Sequence, residues 1–202
     1  MGLIICVTSL KGGVGKTTTA VNLSTAFALA EKKSLLVDCD PQGNATTGMG
    51  LDKPRPFRTL YHALIGKASI EDCIRGTEIG FLNAIPAQFE LFRAETELRL
   101  RKEKEMILRN LLSRLRQNYD YIVIDSPPSL SLLTVNALSA ADSLLIPLQC
   151  EFFAMEGIAR NLKMIQFLKK SFIRLKETIL LIRYISGWFL RQTFFRILHK
   201  SS

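Results

Sequence analysis

The 202-residue chain contains no uninterrupted apolar run close to the ~18 residues that a membrane-spanning helix requires, although 48% of its residues are hydrophobic. Its four cysteines show no C-x-x-C spacing, and three lie in or beside expected strands, so we expect buried reduced thiols and no metal-binding or disulfide framework. The two histidines have no partner pattern that indicates catalysis. The chain enters an apolar segment at Leu3, which leaves no room for a signal peptide. We therefore expect a cytoplasmic protein.

Apolar and amphipathic segments alternate along the chain, and the length suits a single domain. Strand–helix alternation predicts an α/β fold, with a parallel twisted sheet covered by helices on both faces. Strands are expected at 3–8, 34–38, 79–85, 120–125, 143–147 and 178–183, and helices at 16–31, 57–66, 88–98, 102–118, 131–141 and 154–171.

The segment 9–19, Ser-Leu-Lys-Gly-Gly-Val-Gly-Lys-Thr-Thr-Thr, links the first expected strand to the first expected helix. Its three glycines let the backbone adopt positive φ and approach an anion closely. Backbone N–H groups and the helix dipole then converge on one point, which favours a phosphate group. Lys16 can reach β- and γ-phosphates, and the Thr17 hydroxyl can ligate Mg²⁺. The segment predicts a nucleotide-binding loop.

This loop departs from the usual pattern G-x-x-x-x-G-K-[ST]. The position five residues before Gly15 is Leu10, so the first glycine is absent, and a second lysine, Lys11, follows it. A solvated loop lysine is the ordinary interpretation of Lys11. Because this cation directly precedes a turn that favours phosphate, we favour a role in nucleotide binding.

Carboxylates follow two of the expected buried strands. Asp125 ends the β-branched run 122–124, and Asp38 and Asp40 follow the apolar run 35–37. The carboxyl ends of strands in an open α/β sheet form its ligand-binding edge. A carboxylate there can hold Mg²⁺, which keeps most of its water and takes few protein ligands. The alternatives are turn roles for Asp125, before a Pro-Pro pair, and for Asp40, before Pro41.

Four ordered segments resemble the motifs of one family. Lys-Gly-Gly-Val-Gly-Lys-Thr-Thr at 11–18 resembles the deviant Walker A motif of the ParA/MinD ATPases. Segment 38–44 resembles the stretch after their second strand, and 119–129 resembles their Walker B strand and the loop after it. Segment 149–157 resembles the ParA/Soj chromosome-partitioning branch. The similarity runs from about residue 2 to about residue 181, nearly nine tenths of the chain.

The resemblance implies a P-loop NTPase fold and a partner-stimulated ATPase of low activity that uses ATP and Mg²⁺. It implies that Thr17, Asp38 and Asp125 form the magnesium site and that Asp40 positions the attacking water. Lys11 would reach the phosphates of a second subunit, so Lys11, Lys16 and Asp40 are the catalytic candidates. The nucleotide-binding residues implied are Lys11, Gly12, Gly13, Val14, Gly15, Lys16, Thr17 and Thr18.

The resemblance further implies a homodimer that forms on ATP binding, binds DNA nonspecifically and is switched off by hydrolysis. A ParB-type partner protein would stimulate that hydrolysis. The protein would accordingly be cytoplasmic and associated with the nucleoid.

The charge distribution agrees with a DNA-binding role. Residues 1–159 contain 17 basic and 17 acidic residues, so the whole formal charge of +9 lies in residues 160–202. A basic segment of this kind is typical of a protein that contacts the phosphate backbone without base readout. A solvated helix face is the alternative interpretation. The candidate DNA contacts are Arg160, Lys163, Lys169, Lys170, Arg174 and Lys176.

The resemblance lapses after about residue 181. We therefore assign residues 1–182 to an incomplete ATPase domain with truncated C-terminal elements, and 183–202 to an atypical tail. A truncated or frameshifted reading frame is the favoured explanation of the tail.

For the function of the chain, the alternatives to a partitioning ATPase are a MinD-like membrane-associated positioning ATPase and a nucleotide-binding remnant without hydrolysis. Membrane attachment is disfavoured because Arg191 and Arg196 would lie among the apolar residues of a tail helix. A nitrogenase-type iron protein is disfavoured because residues 126–130 lack cysteine.

Overall fold

The computed structural model describes residues 1–51 and 58–149, together with the backbone of two strands at 178–184 and 196–197. The strands are β1 Leu3–Val7, β2 Ser34–Asp38, β3 Arg75–Gly76, β4 Leu82–Ile85, β5 Tyr121–Asp125, β6 Ser143–Gln149, β7 Thr178–Tyr184 and β8 Arg196–Ile197. The helices are α1 Lys16–Leu29, α2 Asn44–Gly48, α3 Leu60–Leu64, α4 Leu91–Leu98, α5 Ile107–Ser113 and α6 Leu132–Ala140, with short 3₁₀ turns at Glu71–Cys73 and Lys104–Met106.

The described strands form one sheet in the order β3-β4-β2-β5-β1-β6-β7-β8. The six strands from β4 to β7 are parallel, which confirms the expected parallel sheet for its main part. The two short edge strands, β3 and β8, add antiparallel pairs at the edges of this parallel sheet. For β3 the reason is the short connection to β4, since a parallel pairing would need a crossover of a dozen residues or more.

Alternate residues of the central strands face two separate hydrophobic layers. In β1, Ile4 and Cys6 face one layer, whereas Ile5 and Val7 face the other. Ala20 and Ala28 bring α1 against the second layer, while buried residues of α3, α4, α5 and α6 belong to the first. The sheet is thus buried on both faces, as a parallel sheet requires, and its carboxyl edge is left for the loops that follow β1, β2 and β5.

The helix expected at 102–118 is much shorter in the structure, where α5 covers only Ile107–Ser113. Glu103 has a left-handed backbone with φ of 51°, so a regular helix cannot run through this position and α5 begins only after it. The buried Asn136 side chain instead accepts the N–H of Leu108 at 3.0 Å and donates to the Lys104 carbonyl at 2.8 Å. A tertiary contact therefore overrides the apolar periodicity of this segment. The helix expected at 154–171 lies outside the described residues.

Two further sequence expectations concern thiols and membranes. Cys6, Cys39 and Cys73 are buried and free, as predicted, and Cys150 lies outside the described residues. In the part of the chain that the structure describes, no helix has the length and hydropathy to cross a membrane.

Candidate nucleotide site

The glycine loop between β1 and α1 adopts the positive φ that the sequence predicts at two of its three glycines, and the expectation is wrong for Gly12. Gly13 and Gly15 have φ of 73° and 88°, values that a residue with a side chain adopts only with strain. Gly12 has no positive φ, and no heavy atom lies within 4 Å of the position that a Cβ would occupy there. Nothing in the described fold requires glycine at position 12, so its space is available to a bound group.

Lys16 opens α1 and is buried, with only 7% of its surface exposed. Its Nζ donates to the Lys11 carbonyl at 3.3 Å. Burial lowers the pKa of Lys16, and the negative charges of Asp125 and Asp40 oppose that shift. A desolvated ammonium group at the start of α1 thus lies close to two carboxylates, Asp125 at the end of β5 and Asp40 just after β2.

Asp125 ends the central strand β5 and is fully buried. Neither of its carboxylate oxygens has a hydrogen-bond partner within the described residues. The pKa of Asp125 is raised to about 7, mainly by burial and also by the charges of Asp38 and Asp40, while the Thr17 hydroxyl and Lys16 partly oppose the rise. The Thr17 hydroxyl is therefore close to Asp125, although the two do not reach a hydrogen bond of ordinary geometry.

These residues fit a magnesium ion. A buried carboxylate with no partner is costly unless a cation or a donor satisfies it. Within the described residues, no three His, Cys, Asp or Glu side chains are grouped to hold a metal alone. Mg²⁺ suits this arrangement, because it takes one or two carboxylates and completes its shell with water and substrate phosphates. Asp125 and Thr17 would hold it.

Asp38 is register-paired with Asp125 across β2 and β5 and is 1% exposed. Its Oδ1 accepts the Asp40 N–H at 3.1 Å, and its Oδ2 accepts the N–H and the hydroxyl of Thr46, both at 2.7 Å. The pKa of Asp38 is raised to about 6, mainly by burial and to a lesser extent by the Asp40 charge, although these hydrogen bonds lower it. Asp38 therefore lies beside Asp125, but most of its hydrogen-bonding capacity is used by the protein.

Asp40 combines a turn role with a place near the site. Its Oδ1 accepts the Gln42 N–H at 2.9 Å, and its carbonyl accepts the Gly43 N–H at 2.9 Å. Asp40 is 7% exposed and close enough to Lys16 and Asp125 to change their pKa values. The turn that the sequence offered as an alternative is present, and the predicted role in positioning water stays a prediction.

The remaining residues of the loop differ in their exposure. Val14 is buried at 3% exposure, whereas Gly12, Gly13 and Thr18 are exposed. Lys11 is half-buried, and its N–H donates to the Ser9 hydroxyl at 3.3 Å. Its predicted reach into a second subunit stays a prediction. The six candidate DNA contacts between 160 and 176 lie outside the described residues.

Sequence reasoning missed three buried side chains near this edge. Thr46 connects Asp38 to the loop after β4, since its hydroxyl also accepts the Ala87 N–H at 2.9 Å. The hydroxyls of Thr8 and Ser126, directly after β1 and β5, are buried without a hydrogen-bond partner among the described residues. The sequence could have indicated Thr8 and Ser126, because both directly follow an expected strand at the ligand-binding edge of the sheet. No spacing rule indicates Thr46.

Residues 2–179 match the sequence profile of the AAA domain family. The chromosome partitioning protein ParA of Myxococcus xanthus is 49% identical over 170 residues, which are 84% of this chain and 60% of that protein. The sporulation initiation inhibitor protein Soj of Bacillus subtilis is 48% identical over 84% of this chain and 67% of its own length. The chromosome-partitioning ATPase Soj of Treponema pallidum is 46% identical over 82% of this chain and 64% of its own length.

Solved structures of similar proteins superpose on most of this chain. Cobyrinic acid a,c-diamide synthase from Mycobacterium smegmatis, with bound ADP and magnesium, superposes with a TM-score of 0.84 at 32% identity, over 92% of this chain and 74% of that one. A Cyanothece McdA–ATP complex gives 0.84 at 28% identity, over 90% and 70%. A plasmid partition protein from Borrelia burgdorferi gives 0.76 at 31% identity, over 90% and 78%.

The chain spans 60 to 67% of the length of these curated relatives. The profile match nevertheless covers the glycine loop, the segment after β2 and the end of β5. The profile match and an identity near one half over most of the chain agree with the geometry of the glycine loop, and the chain belongs to the ParA/Soj family of chromosome-partitioning P-loop ATPases.

Proposed function

We propose that this chain binds ATP and Mg²⁺ at the carboxyl edge of its sheet and acts as a partitioning ATPase whose nucleotide state controls assembly on DNA. One observation carries the proposal. A buried cation, Lys16, at the start of α1 lies close to Asp125, a buried carboxylate at the end of β5 that has no hydrogen-bond partner among the described residues. Both adjoin a glycine loop with open space. An anionic phosphate bound together with a cation satisfies both groups at once.

Each residue has a separate part in the proposed reaction. The N–H groups of the loop and Lys16 bind and orient the phosphates, which is most of what phosphoryl transfer requires of a protein. Thr17 and Asp125 hold Mg²⁺, which neutralises charge that develops on the phosphate oxygens. Asp40 orients the attacking water, and its turn with Gln42 and Gly43 fixes its backbone for that task.

The proposal extends to assembly. Lys11, on the rim of the loop, would neutralise the phosphates bound by a second subunit, so ATP would stabilise a homodimer. The basic segment 160–202 would then bind DNA nonspecifically. A ParB-type partner would accelerate a low basal hydrolysis and release the DNA, with the protein located on the nucleoid in the cytoplasm. The names of the relatives support the partitioning role, and the segregated charge supports the DNA-binding step.

Replacing Lys16 by Ala tests the nucleotide site. The substitution removes the buried cation of the loop, so affinity for a fluorescent ATP analogue should fall at least 100-fold. Lys32→Ala is the matched control, because Lys32 is an exposed lysine just beyond the other end of α1. Binding by Lys16→Ala that equals binding by Lys32→Ala would refute the assignment of the loop to phosphate.

A further inference from the structure

Thr46 occupies an unusual position for a threonine near a carboxylate cluster. It lies in the short helix α2, is 4% exposed, and contacts both the strand end of β2 and the loop after β4. Its N–H and its hydroxyl both donate to the same oxygen, Oδ2 of Asp38, at 2.7 Å. Such short bonds to an ionised acceptor are about twice as strong as neutral ones.

The direction of the Thr46 hydroxyl is fixed by a third hydrogen bond. A threonine hydroxyl has one proton to donate and two lone pairs to accept. The Ala87 N–H occupies one lone pair at 2.9 Å, and the proton is directed to Asp38. The chain Ala87 N–H to Thr46 hydroxyl to Asp38 therefore has a single polarity, and it requires Asp38 Oδ2 to be an acceptor.

This arrangement leaves the two oxygens of Asp38 unequal. Oδ2 receives two hydrogen bonds, which use the two lone pairs of a carboxylate oxygen. Oδ1 receives only the Asp40 N–H, so one of its lone pairs has no partner among the described residues. Asp38 is the register neighbour of Asp125, whose oxygens have no partner there either. Any contribution of Asp38 to a bound cation and its water must come from Oδ1.

We propose that Thr46 is a positioning residue for the magnesium site: it fixes the rotation of the Asp38 carboxylate and so selects Oδ1 as the oxygen available to the hydrated Mg²⁺ of the bound nucleotide. The inference rests on the proposed function, because it assumes that nucleotide binds together with Mg²⁺. Thr46 itself need not contact the nucleotide or the ion. Its effect should appear in the dependence of ATP binding on Mg²⁺ and not in phosphate binding by the loop.

The test is a magnesium titration of fluorescent ATP-analogue binding, with the full chain and with EDTA as the zero point. Thr46→Val keeps the β-branched shape and removes the hydroxyl, and Thr46→Ser keeps the hydroxyl. Thr47→Val is the matched control, because Thr47 is the next residue of α2 and is exposed. Thermal unfolding of each variant without ligand reports whether it folds, and Thr46→Ala replaces Thr46→Val if that variant does not.

In Thr46→Val, the Mg²⁺ concentration for half-maximal binding of the ATP analogue should rise about tenfold, while the residual affinity in EDTA stays unchanged. Thr46→Ser and Thr47→Val should both resemble the wild type. A Mg²⁺ dependence in Thr46→Val equal to that of Thr47→Val would overturn the inference and leave the proposed function intact. Equal weakening with and without Mg²⁺ would also overturn it, since that is the signature of a purely structural residue. Wild-type protein that binds no ATP analogue, or binds it without regard to Mg²⁺, would refute the proposed function and this inference with it.

Discussion

Asp125→Asn should make the ligand-free protein more stable at neutral pH while it weakens Mg²⁺-dependent nucleotide binding. The carboxylate is fully buried and has no partner among the described residues, and burial raises its pKa from 3.8 to about 7. The native state holds this proton to a higher pH than the unfolded chain does. The contribution of protonated Asp125 to folding stability is therefore complete below pH ~4 and is lost as the pH rises through about 7.

The magnitude follows from the shift. One pKa unit corresponds to about 1.4 kcal/mol, so the ionised Asp125 costs on the order of 4 kcal/mol of folding free energy above pH 7. The asparagine amide is neutral but equally buried, and an unsatisfied amide costs about 1–3 kcal/mol. The variant should therefore gain roughly 1–3 kcal/mol at pH 8 and gain nothing near pH 4.

Urea unfolding of the ligand-free protein at several pH values measures this effect, with the exposed Asp72→Asn as the control for loss of an acidic residue. The wild type should lose stability between pH 4 and 7, and Asp125→Asn should lose less, with a residual slope from Asp38, whose pKa is raised to about 6. In the wild type, Mg²⁺ and ATP should restore the lost stability by mass action, and in the variant they should restore little.

Two results would refute this reasoning. Asp125→Asn that is no more stable than Asp72→Asn at pH 8 would mean that the carboxylate is satisfied in the ligand-free protein. Asp125→Asn that is stabilised by Mg²⁺ and ATP as strongly as the wild type would remove Asp125 from the magnesium site.

Other predictions concern the loop and the chain end. Lys11→Ala should bind ATP within about threefold of wild type but fail to form an ATP-dependent dimer, which sedimentation with a non-hydrolysable analogue measures; a dimer of undiminished affinity would mean that Lys11 is an ordinary loop lysine. Gly12→Ala should lower nucleotide affinity but leave the free energy of unfolding unchanged or slightly raised, because its Cβ meets open space at negative φ. Gly15→Ala should lower the free energy of unfolding by about 1 kcal/mol or more, because the φ of Gly15 is 88°. Removal of residues 185–202 should leave ATP affinity unchanged, since β8 is three strands from β1, and a drop in affinity would place that segment at the site.

The parts of the fold that followed from the sequence are those in which local pattern and global packing agree. The run Ile122 to Ile124 is β-branched and apolar throughout, which suits a strand buried on both faces, and β5 is central in the sheet. The positive φ of Gly13 and Gly15 followed from the need for a loop that exposes N–H groups next to a helix start. At these positions one physical requirement determined both residue type and geometry.

The parts that the sequence did not predict depend on contacts between distant segments. The apolar spacing in 102–118 favours one long helix, but Asn136, more than 25 residues away, bonds to Leu108 and Lys104 and holds a break between them. Thr46 similarly acquires its role only when β4 brings the Ala87 N–H beside it. Periodicity and motif spacing carry no information about such pairings, because each partner is an ordinary polar residue in its own segment.

The site also shows why these two kinds of residue differ in how they were found. Lys16 and Asp125 have polar groups that the protein itself leaves poorly satisfied, and residues of this type follow strand ends where a ligand completes them. Thr46, in contrast, is satisfied by Asp38 and by the Ala87 N–H, so its chemistry is internal and no motif marks it. If Thr46 orients Asp38 as proposed, the residues that ligand chemistry requires are visible in the sequence, whereas the residues that hold them in place become visible only in the folded structure.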